Sequence, residues 1–143
     1  MRHTRVHQAS SLVTLLGFAL LGCFSEEPED GVGPNGNNGN GDVVVVNMQP
    51  DLTFQPVHVQ VRAGQTIRWV NTSNFDHTST ADPAKSLDPE ANVRLPSGAA
   101  TWDSGSITPG GSFEHTFQVT GDYTYFCIPH ESQVMVGTIT VVE

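Results

Sequence analysis

The sequence predicts an all-β domain, a Greek-key sandwich or barrel, and three observations carry that prediction. Short apolar or alternating runs recur at close intervals from Val43 onward. Glycine- and proline-bearing turns separate them, as at Arg62-Ala63-Gly64-Gln65 and Pro109-Gly110-Gly111. Only Ser79 to Thr101 lacks strand alternation. Short strands punctuated in this way build sandwiches and small barrels.

Each element has its own reason. Val43-Val44-Val45-Val46 is a short apolar run suited to a buried strand, and Val57-His58-Val59-Gln60-Val61 alternates, turning its valines to one face and His58 to solvent. After the Gly64 turn, Thr66 to Val70 reads as the next strand. Asp82-Pro83 and Asp88-Pro89 each set a capping carboxylate before a proline, so one or two short helical turns should lie over the sandwich there. Phe113 to Val119 is a further strand, on which His115 shares a face with Phe113, Phe117 and Val119. That places His115 inside or at a sheet edge, beside a hydrogen-bond partner. Thr120-Gly121-Asp122 is a tight turn, Tyr123 to Cys127 a strand, and Met135 to Val142 closes the domain. Trp69 and Trp102 read as core.

The chain divides into three parts. Residues 1–22 read as a signal peptide: Arg2 and Arg5 precede an apolar run from Ala9 to Leu21 that is too short to span a bilayer. It ends in Leu20-Leu21-Gly22-Cys23, which resembles the lipobox of bacterial lipoproteins, where cleavage before the cysteine leaves it lipidated. Residues 23–42 then form an acidic tether rich in Gly and Asn, whose r.m.s. reach is about 25 Å. The folded domain is 43–143. An exported protein, held in the periplasm or at the cell surface by a lipid on Cys23, is the expectation.

Acidic residues dominate. The basic residues beyond the signal segment are Arg62, Arg68, Lys85 and Arg94, against fifteen acidic ones. No basic stripe exists, so a nucleic-acid partner is excluded. Negative charge serves solubility in any case, and it would also steer the protein toward a basic docking face.

The chemistry concentrates in Cys127-Ile128-Pro129-His130-Glu131-Ser132-Gln133-Val134-Met135, a C-x2-H-x4-M pattern directly after a strand-like run. Upstream, His77 follows the Thr66 to Val70 run. Taken singly, a cysteine at a strand end is a small hydrophobe and a methionine before a terminal strand is core. Together, one thiolate, two imidazoles and a weak thioether are the donor set of a blue-copper electron-transfer site. A disulfide is rejected, because Cys23 lies outside the domain. Cys127 is then a lone thiol in an oxidising compartment, and a metal on the sulfur would protect it.

These motifs resemble the cupredoxins, within them the plastocyanin, amicyanin and pseudoazurin group. The resemblance covers about Val43 to Glu143 and rests on Trp69-Val70-Asn71, His77-Thr78, Pro109-Gly110, Gly121-Asp122-Tyr123-Thr124-Tyr125-Phe126-Cys127-Ile128-Pro129-His130 and Met135-Val136-Gly137-Thr138-Ile139-Thr140-Val141. It implies a sandwich of about eight strands holding one copper ion, with His77, Cys127 and His130 as strong ligands and Met135 as the long axial one. It also implies a monomeric carrier, not an enzyme, that shuttles single electrons between redox proteins such as a cytochrome or a membrane respiratory or photosynthetic complex. Storage, sensing or delivery of copper is the alternative.

Neighbours of the ligands carry expectations too. Pro129 has no N–H to give the Cys127 sulfur, so the donor should be a backbone N–H just after His77. Asn71 or Thr78 is expected to tie the two ligand loops together. The resemblance places an aromatic residue at Phe126 as a second electron exit. One departure stands out: Glu131-Ser132-Gln133-Val134 lacks the glycines usual before the methionine, and Val134 suits a positive φ poorly.

Overall fold

A computed structural model describes residues 43–143; the expectations for residues 1–42, the lipidated Cys23 among them, lie outside the described residues. Among the described residues nine strands form two sheets. They are β1 (Val44–Met48), β2 (Phe54–Gln55), β3 (His58–Arg62), β4 (Thr66–Asn71), β5 (Thr80–Ala81), β6 (Trp102–Asp103), β7 (Ser112–Thr116), β8 (Gly121–Phe126) and β9 (Val136–Val142). One sheet runs β2-β1-β4-β7 and the other β3-β9-β8-β5-β6. The all-β expectation holds. The strand count exceeds the expected eight because β2, β5 and β6 have two residues each, too few to show a period of two.

Alternation decides what the sandwich encloses. In β4, Ile67, Trp69 and Asn71 turn inward; in β9, Gly137, Ile139 and Val141 do. The resulting core joins Val46, Met48 and Trp69 of one sheet to Val59, Val61, Tyr125 and Ile139 of the other. Trp69 and Trp102 are both buried, as read from the sequence. Val57 is not: pairing with β9 begins at His58 opposite Thr138, so Val57 lies before the ladder and is 42% exposed. The strand expected over Phe113 to Val119 stops at Thr116, where Phe117 instead exchanges backbone hydrogen bonds with Gly64 and Gln65 of the turn.

Between β5 and β6 the two capped turns form as the Asp-Pro pairs require. Asp82 accepts from the Ala84 N–H ahead of a 3-10 turn at Pro83–Lys85, and Asp88 accepts from the Ala91 N–H ahead of the short helix α1 (Pro89–Asn92). Among the described residues no helix is long and apolar enough to cross a membrane.

His115 lies on the edge strand β7, half-buried, but its partner is not a hydrogen bond. The ring stacks on Trp102, with centroids 5.0 Å apart and planes 22° apart. Burial holds its imidazole below the ordinary value of 6.5. Above that value both folded and unfolded chains are neutral there. As pH falls through it, the unfolded chain takes up a proton that the folded chain resists, so stability declines until the folded value is passed. His115→Phe should flatten this acid-side decline, measured as urea midpoints of the metal-free protein between about pH 7.5 and 5. An unchanged pH slope would contradict it.

Candidate metal centre

Strand ends bring the candidate donors together. β4 delivers the chain at Asn71 into a loop, and His77 is pinned across it by paired backbone hydrogen bonds with Ile107, 3.2 and 2.8 Å long. β8 ends at Phe126, so Cys127 emerges at the same end of the sandwich and caps a kinked 3-10 turn at Ile128–Gln133. His130 sits within that turn, its N–H bonded to the Cys127 carbonyl at 3.1 Å.

The Cys127 Sγ lies 3.5 Å from His77 Nδ1 and 3.4 Å from His130 Nδ1. One donor atom from each of the three residues falls within 4.8 Å of the others. His77 and Cys127 are fully buried, and His130 is partly exposed. A thiolate and two imidazoles converging this closely fit a borderline-soft ion such as copper. Met135 is fully buried beside them. Its carbonyl accepts from the Cys127 N–H at 3.0 Å and its N–H donates to the His130 carbonyl at 3.2 Å, so its backbone is fastened to both neighbours.

The family model for copper binding proteins of the plastocyanin/azurin type matches residues 41–142. The chain belongs to this family. This cupredoxin is 36% identical to a plastocyanin of Scenedesmus fuscus over 94 residues, spanning 63% of this chain and 87% of that one. It is 37% identical to a plastocyanin of Nostoc punctiforme over 93 residues, 63% of this chain and 65% of that one. Of a chloroplastic plastocyanin from Tetradesmus obliquus it spans only 59%. Solved amicyanin variants share the fold, one with TM-score 0.53 at 22% identity over 68% of this chain and 80% of that chain.

Within this cupredoxin the surroundings of the sulfur follow the expected scheme. The Thr78 N–H donates to Cys127 Sγ at 3.3 Å, and Pro129 has no N–H to add. Thr78 also joins the two loops, its Oγ1 accepting from the Ile128 N–H at 2.9 Å. Asn71 does not make that bridge. Its Nδ2 donates to the carbonyls of Phe75 and Ile107, so it ties the His77 loop to the Ile107 segment instead of to the Cys127 loop. Phe126 is fully buried and reaches no surface, which removes it as an electron exit.

Burial shifts the metal-free donors. It pushes the Cys127 thiol up, with the Thr78 N–H acting in the opposite sense, and it pulls His77 down, helped by the neighbouring His130. His77 is therefore held neutral and ready to donate, whereas the thiol must shed a proton when a metal arrives.

Two residues that sequence reading passed over support the site. Glu131 is 6% exposed, and its carboxylate accepts from Ser86 Oγ, the N–H groups of Leu87 and Asp88, and Asn92 Nδ2. Desolvation is the largest single effect and raises its pKa, but these bonds favour the charged form and together outweigh it, holding the pKa below the usual carboxylate range. Ser73 is buried with its Oγ 2.8 Å from His77 Nε2. The only signal was local: a serine two residues after an asparagine and four before the histidine. Val134 takes the left-handed conformation (φ 61°) that its β-branched side chain resists, at a cost of about 1 kcal/mol or more. The turn imposes it, because the Val134 N–H must reach the Glu131 carbonyl at 2.9 Å.

Proposed function

We propose that this protein is a mononuclear type 1 copper electron carrier whose ligands are His77, Cys127, His130 and, at longer range, Met135. The observation that carries this reading is the convergence of two imidazoles and one thiol within 4.8 Å at the end of a cupredoxin sandwich. Bound copper supplies a one-electron couple between Cu(I) and Cu(II). The protein's part is to hold its donors still. Cys127 is buried just past the end of β8 and His77 is buried in a loop pinned to Ile107, the Thr78 bridge locks the two loops, and Met135 is fastened by two backbone bonds. A donor set that does not rearrange keeps electron transfer fast. A thiolate, two imidazoles and a thioether also leave no open position for a substrate, which favours a carrier over an enzyme.

His130 is the electron port in this reading. It is partly exposed, and Phe75 meets it edge-on at 6.3 Å while remaining 51% exposed. Ile128 and Val134 of the same turn are exposed apolar side chains as well. Such a rim suits brief contact with a redox protein, for instance a cytochrome or a membrane respiratory or photosynthetic complex. Export and a lipid anchor at Cys23 complete the proposal, with the carrier working as a monomer outside the cytoplasmic membrane.

The test is direct. Cu(II) added to the purified domain should produce an intense blue thiolate-to-copper band, and Cys127→Ser should abolish it. Colourless, weakly held copper would favour storage or delivery instead.

A further inference from the structure

The hydrogen bonds around Ser73 fix the tautomer of His77, and they do so by elimination. Asn71 can point its amide only one way. Its Nδ2 faces the carbonyls of Phe75 and Ile107 at 2.7 and 2.8 Å, both of which only accept. Its Oδ1 therefore faces Ser73, accepting from the backbone N–H at 2.9 Å. The Ser73 hydroxyl lies 2.8 Å from that same Oδ1. The Phe75 carbonyl is also within reach of that hydroxyl, at 3.1 Å. Both oxygens only accept, so the single Ser73 proton is committed to them, chiefly to the nearer Asn71 Oδ1, and not to His77. The Phe75 N–H donates into one Ser73 lone pair at 3.0 Å. The lone pair that remains faces His77 Nε2 at 2.8 Å. Nε2 must then carry the imidazole proton, which leaves Nδ1 bare on the side of Cys127 Sγ, 3.5 Å away.

We propose that Ser73, oriented by Asn71, is a positioning residue that holds His77 in its Nε2–H tautomer and so presents Nδ1 to copper before the metal arrives. The proposal rests on His77 being a copper ligand. The relay runs from His77 Nε2–H to Ser73 Oγ–H to Asn71 Oδ1, and each link polarises the next. An acceptor behind the imidazole makes Nδ1 a better donor and favours Cu(II) over Cu(I). Ser73 thus sets both the readiness of the ligand and the balance between oxidation states. All its partners come from the loop itself or from Ile107, so the relay acts on His77 and leaves His130 alone.

The experiment has a metal-free and a metal-loaded arm. Nitrogen-15 NMR of the metal-free protein should show His77 wholly as the Nε2–H tautomer. Ser73→Ala should give mixed tautomers, and Ser73→Thr, which keeps the hydroxyl, should restore the single form. In the loaded arm, competition with a chelator should show Cu(II) affinity falling about 10-fold in Ser73→Ala, with Cu(I) affinity falling less and the reduction potential rising. A purely structural role would lower both affinities alike and leave the tautomer intact in the folded fraction, and that result overturns the proposal. So does a Ser73→Ala protein with unchanged tautomer and unchanged Cu(II) affinity. If wild-type protein shows the tautomer but takes up no copper at His77, the ligand assignment fails while the hydrogen-bond relay stands.

Discussion

Gly137→Ala is expected to destabilise the domain by about 3 kcal/mol, the upper end of what overpacking usually costs. Gly137 faces Tyr125 across the β8–β9 ladder, and the tyrosine ring lies over it. A Cβ added there would stand 2.5 Å from both Cζ and the hydroxyl oxygen of Tyr125. The ring cannot withdraw. It is fully buried, with Phe54 at 4.6 Å and Trp69 at 5.4 Å between ring centroids. Strand β9 cannot withdraw either without stretching the ladder that leads back to Met135. Urea unfolding should show a lower midpoint at unchanged slope. The same substitution in a Tyr125→Leu background should cost about half as much, because the two sites are in contact and couple. A loss under about 1 kcal/mol in the single variant would show that the core yields there. The Tyr125 hydroxyl and Trp69 Nε1 are both buried without a hydrogen-bond partner, so the ring's contribution is its packing and not its polar atom. Its burial pushes the phenol pKa up, so it stays protonated.

Glu131→Ala should cost about 3 kcal/mol and loosen the copper loop. The carboxylate gathers donors from Ser86, Leu87, Asp88 and Asn92, so it clasps the segment around α1 onto the turn that carries His130. Removing it strands several donors at once. The segment lies near the surface, where water re-satisfies part of them, and that limits the loss. Glu131→Gln keeps one good acceptor and should lose about half as much. Hydrogen exchange of the Leu87 and Asp88 amides should rise sharply in Glu131→Ala, and the copper band should shift as His130 gains freedom. Retained protection at those amides would disprove the clasp. The left-handed Val134 persists in this setting. A turn held by Glu131 on one side and by Met135 on the other has no room to relax its strain.

How legible the site was depended on sequence distance. Cys127, His130 and Met135 stand in one short turn, so their spacing alone implied proximity. The Asp-Pro caps at Asp82 and Asp88 were legible for the same reason, since a cap is satisfied by the next few residues. The Thr78 donor to the sulfur was expected from the lack of an N–H at Pro129. Asn71 was half right: polar and inward, but turned to Ile107 instead of the Cys127 loop. Glu131 was visible only as a missing glycine, because its partners lie about forty residues upstream. The two-residue strands β5 and β6 have no period to read, yet pairing at Thr80 opposite Phe126 sets the insertion beside the site.

By itself the sequence determined the fold class and the donor chemistry, and it named all four candidate ligands, three of them within one short stretch. Alternation and spacing are local properties, and a few residues of chain cannot stray far from one another. Tertiary structure decided how His77 meets Cys127, how Ser73 and Asn71 aim its ring, and why residue 137 has no side chain. Those facts depend on which strands pair and in what register, and a shift of one residue would turn each side chain to the opposite face.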